Sequence, residues 1–527
     1  MRGWNPRSSP LKSGKLRWAP AGGSGDGPSR EVALKAKRWT TRVRRLSANP
    51  FAWAILFAVS FSAIHVAFLP LSISYDGLVF LDLADILGSE RFPRDWEVWR
   101  TPLFPLFLKV WLAAFGRSPH TLLAGLALLG LGVALTLGIT ARRFAGDAAA
   151  ALVVVLVSAH PTFICYQHTV LSEVGSSLFL ALFVCVLVVS STRPWLKTLT
   201  LAALLGAGYY WRQPLLSLAP IVAVLYGLLR LRWEAKCRSG GRLAAVVAQV
   251  LVLAILPFQL TRPWRGYTDS EGLAEVALRQ GLLRQALLPS NHEVLGTHAA
   301  EYVRAVQESS ENGNFLSGLR SEQVSYFYEK LFRAGTADRT GSNLFLQCVW
   351  TNPLRYLAGV GRTLALMAGA RGAESRNADL RLRILDDVPL DHRLAPGPTR
   401  LVQRMRREFG APARESLLMR LLRPIAPVFD RAVLAGSILS AIGVVAAICW
   451  RDAVLLALCA VPWAYFLPFG LSLASIDRYG FPAHPLLLAN LVLIPWLVIR
   501  RLGNGAKAPP PSRGARQAAH GEAGRSA

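Results

Sequence analysis

About ten stretches of this chain approach the length of a membrane crossing, and little separates many of them except short turns carrying arginine and lysine. A spanning helix needs roughly 20 mostly apolar residues, and residues 51–71, 121–141, 147–163, 171–190, 196–211, 214–230, 244–260, 432–449, 453–472 and 484–499 come near that length. The expected fold is an all-α integral membrane protein of about ten transmembrane helices. It would have an amphipathic first outer loop and one long outer loop. A content of 52% hydrophobic and 17% charged residues, with mean hydropathy +0.34, agrees with a polytopic chain rather than a string of soluble domains.

The basic turns order the two faces. Lysine and arginine in short loops mark the cytoplasmic side, and "ARRFAG" (141–146), "STRPWLK" (191–197), "RLRWEAKCRSGGR" (230–242), "WRD" (450–452) and Arg500-Arg501 recur after every second segment. Ten crossings from an inner N-terminus return the chain to the inner side beside those last two arginines. Residues 346–370 are apolar enough for an eleventh crossing, but Arg355 and Arg362 would then lie at membrane depth, which is costly. An amphipathic helix on the surface accommodates both. The organisation that follows is a basic cytoplasmic tail (1–48), a transmembrane module (49–260) with its first outer loop at 72–120, a long outer loop (261–431), C-terminal transmembrane helices (432–500) and a second cytoplasmic tail (501–527). The location expected from it is the inner, cytoplasmic membrane, with multiple passes.

The formal charge of +27 does not call for nucleic acid, because much of it lies in the tails and the short turns: residues 1–48 alone hold twelve Lys/Arg against Asp26 and Glu31. That tail reaches an apolar stretch too late for an ordinary cleaved signal peptide, so 51–71 is expected to stay as the first helix. The six cysteines are scattered without a paired spacing, and Cys165, Cys185, Cys449 and Cys459 lie in or beside apolar segments, so no disulfide framework or zinc site follows from them. His160, His168, His292 and His484 stand alone and read as structural. A phosphate-binding Walker loop, HExxH and GxSxG are all missing, so nucleotide-driven transport and common hydrolase chemistry have no support.

On this topology the unusual polar residues gather at outer helix ends. Asp76, in "SISYDGLVFLDLADIL" (72–87), reads either as a helix N-cap or as a general base at the membrane surface. Asp82 and Asp85 read as the wet face of the same helix. Glu173, at the mouth of an apolar helix, needs water or a partner, and Arg212 in "YYWRQP" and Arg478-Tyr479 in "SIDRYGFPAHP" suit phosphate oxygens or lipid headgroups. Carboxylates are thus retained in an apolar chain to face a shared cavity.

The order of these features resembles the GT-C superfamily of polytopic glycosyltransferases, in particular bacterial members related to protein mannosyltransferases and the aminoarabinose transferase of lipid A. The likeness lies in an outward Asp after the first helix, "WRTPLFPLFLKVWLAAFG" (99–116), "ITARRFAGD" (139–147), "HP" with an outward "LSE" (171–173), an Arg-Gln-Pro and a late "DRYGFPAHPLLL". It covers 51–260 and 432–500 and leaves 261–431 unmatched. It implies inverting transfer of a sugar from a polyprenyl-phosphate donor to a lipid, glycan or protein acceptor on the outer face, among membrane lipids. By position, Asp76 would be the catalytic carboxylate, Glu173 the acid of the next outer loop, and Arg478 and Tyr479 the holders of the donor phosphate; Arg212 joins them as a further substrate-binding candidate. Many members pair two adjacent acids where this chain has Asp76-Gly77, so no metal ligand is assigned and a divalent cation stays open as cofactor. A transporter or flippase of lipid-linked glycan, or a surface polysaccharide polymerase or ligase, would share much of this pattern.

Overall fold

The computed structural model describes residues 49–92, 94, 96, 100–188, 193–234, 240–265, 349–370, 403–404, 407–409, 416–471 and 477–505. Among the described residues from Pro50 onward the elements are helical: α1 (Pro50–Phe68), α2 (Tyr75–Ile86), α3 (Leu103–Phe115), α4 (Pro119–Ala159), α5 (Pro161–Gln167), α6 (Glu173–Val188) and α7 (Pro194–Trp211) come first. A short 3-10 turn (Gln213–Leu218) leads to α8 (Ala219–Glu234) and α9 (Gly240–Arg265). Beyond lie α10 (Pro353–Met367), α11 (Leu417–Cys449), α12 (Ala453–Leu471), 3-10 turns at Asp477–Tyr479 and Phe481–Ala483, and α13 (His484–Gly505). Extended pairing among the described residues is limited to one isolated parallel bridge between Ser72 and Thr169.

Seven helices among the described residues are long and apolar enough to cross a membrane, and the protein is a multi-pass membrane protein. Glu173–Val188 is apolar but shorter. Segments 121–141 and 147–163 were expected as separate crossings; they share the 41-residue element α4. Gly146 interrupts it with φ 85°, a left-handed conformation that glycine adopts without a Cβ penalty. A methyl group on Gly138 would collide with the Val154 side chain, although sixteen residues of straight helix would separate those positions by roughly 24 Å. α4 is therefore a helical hairpin folded at Gly146. Its length alone conceals the turn.

Hydrophobic burial and small residues set the packing between helices. The core includes Phe51 of α1, Val133 and Val154 of the α4 hairpin, Phe183 of α6, Tyr465 of α12 and Leu487 of α13. Gly436 lets α11 approach the backbone of Leu487 so closely that a side chain there would strike its carbonyl oxygen. Buried Asn490 of α13 donates through Nδ2 to Ser440 Oγ (3.0 Å) on α11 and the Leu458 carbonyl (2.9 Å) on α12. Where an apolar surround offers no water, such a paired amide sets the register of three helices.

The basic turns that the charge rule places together do meet. Arg500 donates to the Phe144 carbonyl (3.2 Å), and Arg501 binds Asp452 (2.9 Å) and the Trp450 carbonyl (2.8 Å). α10 has 15 residues, shorter than a crossing, with Leu354 and Leu357 exposed and Val360, Thr363 and Met367 buried. Its apolar residues thus divide between an exposed and a buried face. The expected tail at 1–48, residues 506–527 of the expected tail at 501–527, most of the long loop at 261–431, and His292 lie outside the described residues.

Candidate active site

Two loops are pinned together before any site side chain is considered. The Ser72 amide donates to the His168 carbonyl (2.7 Å), and the Val170 amide donates back to the Ser72 carbonyl (3.2 Å). The His168 ring adds a contact of Nδ1 with the Pro70 carbonyl (3.1 Å) and one of Nε2 with His65 Nδ1 (2.9 Å), so His168 is structural but not solitary. His160 Nδ1 accepts from the Phe163 amide (2.9 Å) to cap α5, and His484 Nε2 meets the Met367 carbonyl (2.8 Å), so both are structural as well. These links place the start of α2 beside the start of α6.

Ser74 takes the cap of α2, its hydroxyl accepting from the Gly77 amide at 3.1 Å. Asp76 is thereby released from the capping alternative and lies in the first helical turn. Its Oδ1 accepts from Arg100 Nη2 and its Oδ2 from Arg478 Nη2, both at 2.5 Å. Arg478 Nε also approaches Glu173 Oε1 at 2.9 Å, and Arg212 Nη2 lies 3.4 Å from the same oxygen. The guanidiniums of Arg212 and Arg478 stand 5.5 Å and 5.9 Å from the centre of the Tyr479 ring, whose other neighbour is stacked Phe469. The five residues singled out in the sequence therefore form one cluster. Arg100 belongs to it too. It stands inside "WRTPLFPLFLKVWLAAFG", which was read as a motif without weighing its lone arginine against the acids of the same loop.

Burial alone would raise the Asp76 carboxyl from its ordinary 3.8, but Arg478 and then Arg100 outweigh it and hold the group well below that value. The stabilisation Asp76 contributes is therefore fully present above pH 3.8 and is lost only as the pH falls below it. Burial opposes the charge of Arg478 and Arg212 as well; Asp76 and Glu173 overcome it at Arg478, and Glu173 at Arg212, holding both guanidiniums above the ordinary arginine range. Among the described residues, three guanidiniums (Arg100, Arg212 and Arg478) and two carboxylates (Asp76 and Glu173) meet here. Arg212 Nη1 is buried with no hydrogen-bond acceptor among the described residues. A buried donor without an acceptor is expensive, and an anion would satisfy it.

The packing behind these residues is tight. Trp211 Nε1 donates to the Ser172 carbonyl (2.8 Å), and Thr101 Oγ1 donates to the Trp211 carbonyl (3.0 Å), joining the neighbours of Glu173, Arg212 and Arg100. Gly175 lies flat against the Trp211 indole, leaving no room for a Cβ. Gly175→Ala should cost about 1–3 kcal/mol through overpacking, read as a lower thermal midpoint in detergent, whereas Gly116→Ala, with open space around it, should leave the packing untouched and report only its positive φ. Equal effects of the two would disprove the contact. Gly480 packs against the Met367 carbonyl at the end of α10, where a methyl group would come to 2.5 Å.

Asp82 and Asp85 do not join the site. Asp85 binds Arg117 (2.8 Å) and Arg404 (2.7 Å), Arg117 binds Glu408 (2.8 Å), and Asp82 lies 3.8 Å from Arg91 and from Arg404. This partly exposed ionic group replaces the plain solvation expected for both. As to metals, no three His, Cys, Asp or Glu side chains among the described residues are placed to hold an ion. Asp76 faces two guanidiniums, so the donor set does not fit a divalent cation.

No protein-family model matches this sequence, and no curated protein matches it. Two solved structures are similar, both of ArnT from Cupriavidus metallidurans. The crystal structure bound to undecaprenyl phosphate has 15% identity and a TM-score of 0.34, covering 82% of this chain and 78% of that one. The apo crystal structure has 14% identity and a TM-score of 0.31 over the same shares. ArnT is the lipid A aminoarabinose transferase, a GT-C glycosyltransferase.

Proposed function

We propose that this protein is a membrane glycosyltransferase that moves a sugar from a polyprenyl-phosphate donor to a lipid, glycan or protein acceptor on the outer face of the cytoplasmic membrane. The observation that carries this reading is the largely enclosed cluster of Asp76, Glu173, Arg100, Arg212 and Arg478, in which Arg212 Nη1 has no hydrogen-bond acceptor among the described residues. A lipid-linked phosphodiester brings a negative charge to this arginine-rich site and oxygens that can accept from Arg212 Nη1. The apolar helices around the cluster suit a donor whose tail stays in the bilayer.

The chemistry is an inverting displacement. Asp76 accepts the proton of the acceptor hydroxyl as that oxygen bonds to the anomeric carbon. The bond from the anomeric carbon to the phosphate oxygen breaks, and its electron pair leaves with the polyprenyl phosphate. The negative charge that grows on the phosphate is met by Arg478 and Arg212, whose orientation Glu173 fixes in advance. Tyr479 bounds the guanidiniums from one side. Charge is conserved in the site throughout, since Asp76 becomes neutral as the phosphate becomes doubly charged. No step needs a metal or a nucleotide.

A transporter of lipid-linked glycan would call for polar residues along a mid-helix path, whereas this cluster is drawn from loops and helix ends at Asp76, Arg100, Glu173, Arg212 and Arg478. The proposal also keeps 261–431 as an outer loop, and a single cysteine tests that. Ser270→Cys, in a chain whose six cysteines are replaced, should react with a membrane-impermeant maleimide in cells with an intact inner membrane. Labelling that requires permeabilisation would put the loop, and the site with it, on the wrong face.

A further inference from the structure

Resting on that reading, one more side chain of the site is assigned by a polar atom that the fold leaves unused. α12 is apolar over nearly its whole length, and Tyr465 sits in it completely buried. Its hydroxyl has no hydrogen-bond partner among the described residues. Tyr226, equally buried, shows the ordinary solution, with its hydroxyl in contact with Gln249 Oε1 (3.1 Å) and the Pro194 carbonyl (3.2 Å). A buried hydroxyl left unpaired is costly, and Phe466 and Phe469 on the same helix supply rings without one. Packing therefore does not account for the oxygen of Tyr465.

Its position does. α12 packs against α6, which begins at Glu173, and against the 3-10 turn that follows Arg212. The Tyr465 ring meets Phe469 edge-on at 5.6 Å, Phe469 stacks on Tyr479 at 5.1 Å, and Tyr479 lies beside the guanidiniums of Arg212 and Arg478. Tyr465 is within electrostatic reach of Arg212 and Glu173. The rise from Tyr465 to the end of α12 at Leu471 is about 9 Å, so Tyr465 approaches the cluster from deeper in the helix bundle. Asp76 and Arg478, 17% and 14% exposed, mark its open side. Arg212 Nη1 is the second unused polar atom here, and it does not bond to Tyr465.

We infer that Tyr465 Oη and Arg212 Nη1 share one ligand, an oxygen of the donor phosphate, to which each donates a hydrogen bond. A guanidinium can only donate, so whatever lies against Nη1 must accept, and a charged oxygen accepts more strongly than a neutral one. The donor's tail remains in the bilayer, so its phosphate is met from the membrane-spanning part of the bundle by Tyr465 and from the loops by the arginines. No proton moves in this contact; the hydroxyl holds the phosphate in place.

Removing that oxygen should separate binding from stability. Tyr465→Phe keeps the ring and its contact with Phe469, so the empty protein should unfold in detergent at the wild-type midpoint or above it. Polyprenyl monophosphate, which has the phosphate and the tail without a sugar, serves as the probe in nanodiscs. Its binding should weaken by roughly 10–100-fold, the range for one hydrogen bond to a charged group. Arg212→Lys keeps the charge beside Glu173 but lacks the Nη1 edge, and in that background the loss caused by Tyr465→Phe should shrink several-fold. Tyr226→Phe is the control: it gives up a satisfied hydroxyl, so its midpoint should fall while probe binding stays at the wild-type value. Unchanged binding in Tyr465→Phe, an equal loss in both backgrounds, or a lowered midpoint of the empty Tyr465→Phe protein would overturn the assignment while leaving the donor class intact. Failure of wild type to bind the probe would instead overturn the donor class, and with it the ligand assigned to Tyr465.

Discussion

Asp76→Asn should reduce turnover by about 10²–10⁴-fold, the range that a positioned general base supplies. Asparagine keeps the size of the side chain and can still face Arg478 and Arg100, but it cannot take a proton. The measurement is the release of free polyprenyl phosphate from a panel of polyprenyl-phosphate sugars, followed by mass spectrometry with purified protein in lipid. Turnover of one donor by wild type and its loss in a folded Asp76→Asn would identify donor and base together. Equal release from both proteins would reduce Asp76 to a structural counter-ion, and no release from any donor would favour a transporter or polysaccharide polymerase. Because Ser74 already caps α2, the loss cannot be ascribed to a frayed helix start.

Glu173→Ala should be the most destabilising substitution in the cluster, by about 3–5 kcal/mol, because it leaves Arg478 and Arg212 buried without their shared counter-charge. Glu173 is 1% exposed and forms ion pairs with both. Asp85→Ala offers the contrast. Its partners Arg117 and Arg404 are 37% and 35% exposed, so water and salt screen the loss, and about 0–1 kcal/mol is expected. Thermal unfolding in detergent at two salt concentrations distinguishes the pairs, since only the Asp85 effect should fade at high salt. If Glu173→Ala unfolds at the wild-type temperature, the buried ion-pair arrangement is wrong.

Much of the architecture was legible from one-dimensional patterning because the bilayer imposes it. Apolar length marks the helices, and three of the basic turns come together where Arg500 meets Phe144 and Arg501 meets Asp452. The two halves of α4 were separable in sequence by their basic turn, and Gly146 supplies the fold-back between them. Asp76, Glu173, Arg212, Arg478 and Tyr479 were legible for a related reason: charged and aromatic side chains at the ends of apolar segments are costly unless they meet something. That cost is a property of each residue in its local surroundings.

Partnership is not. Arg100 and Asp76 are separated by 24 residues and Asp76 and Arg478 by 402, and no periodicity carries information over such intervals. Asp82 and Asp85 look much like Asp76 along the chain, yet only Asp76 is turned toward Arg478. The Ser72–Thr169 bridge and the His65–His168 contact aim that end of α2 at α6. Chain composition thus indicated which segments are apolar enough for a membrane and which side chains needed partners, because both follow from transfer free energies counted residue by residue. Which carboxylate meets which arginine was decided by tertiary packing, because an ion pair depends on distances that only the assembled helices create.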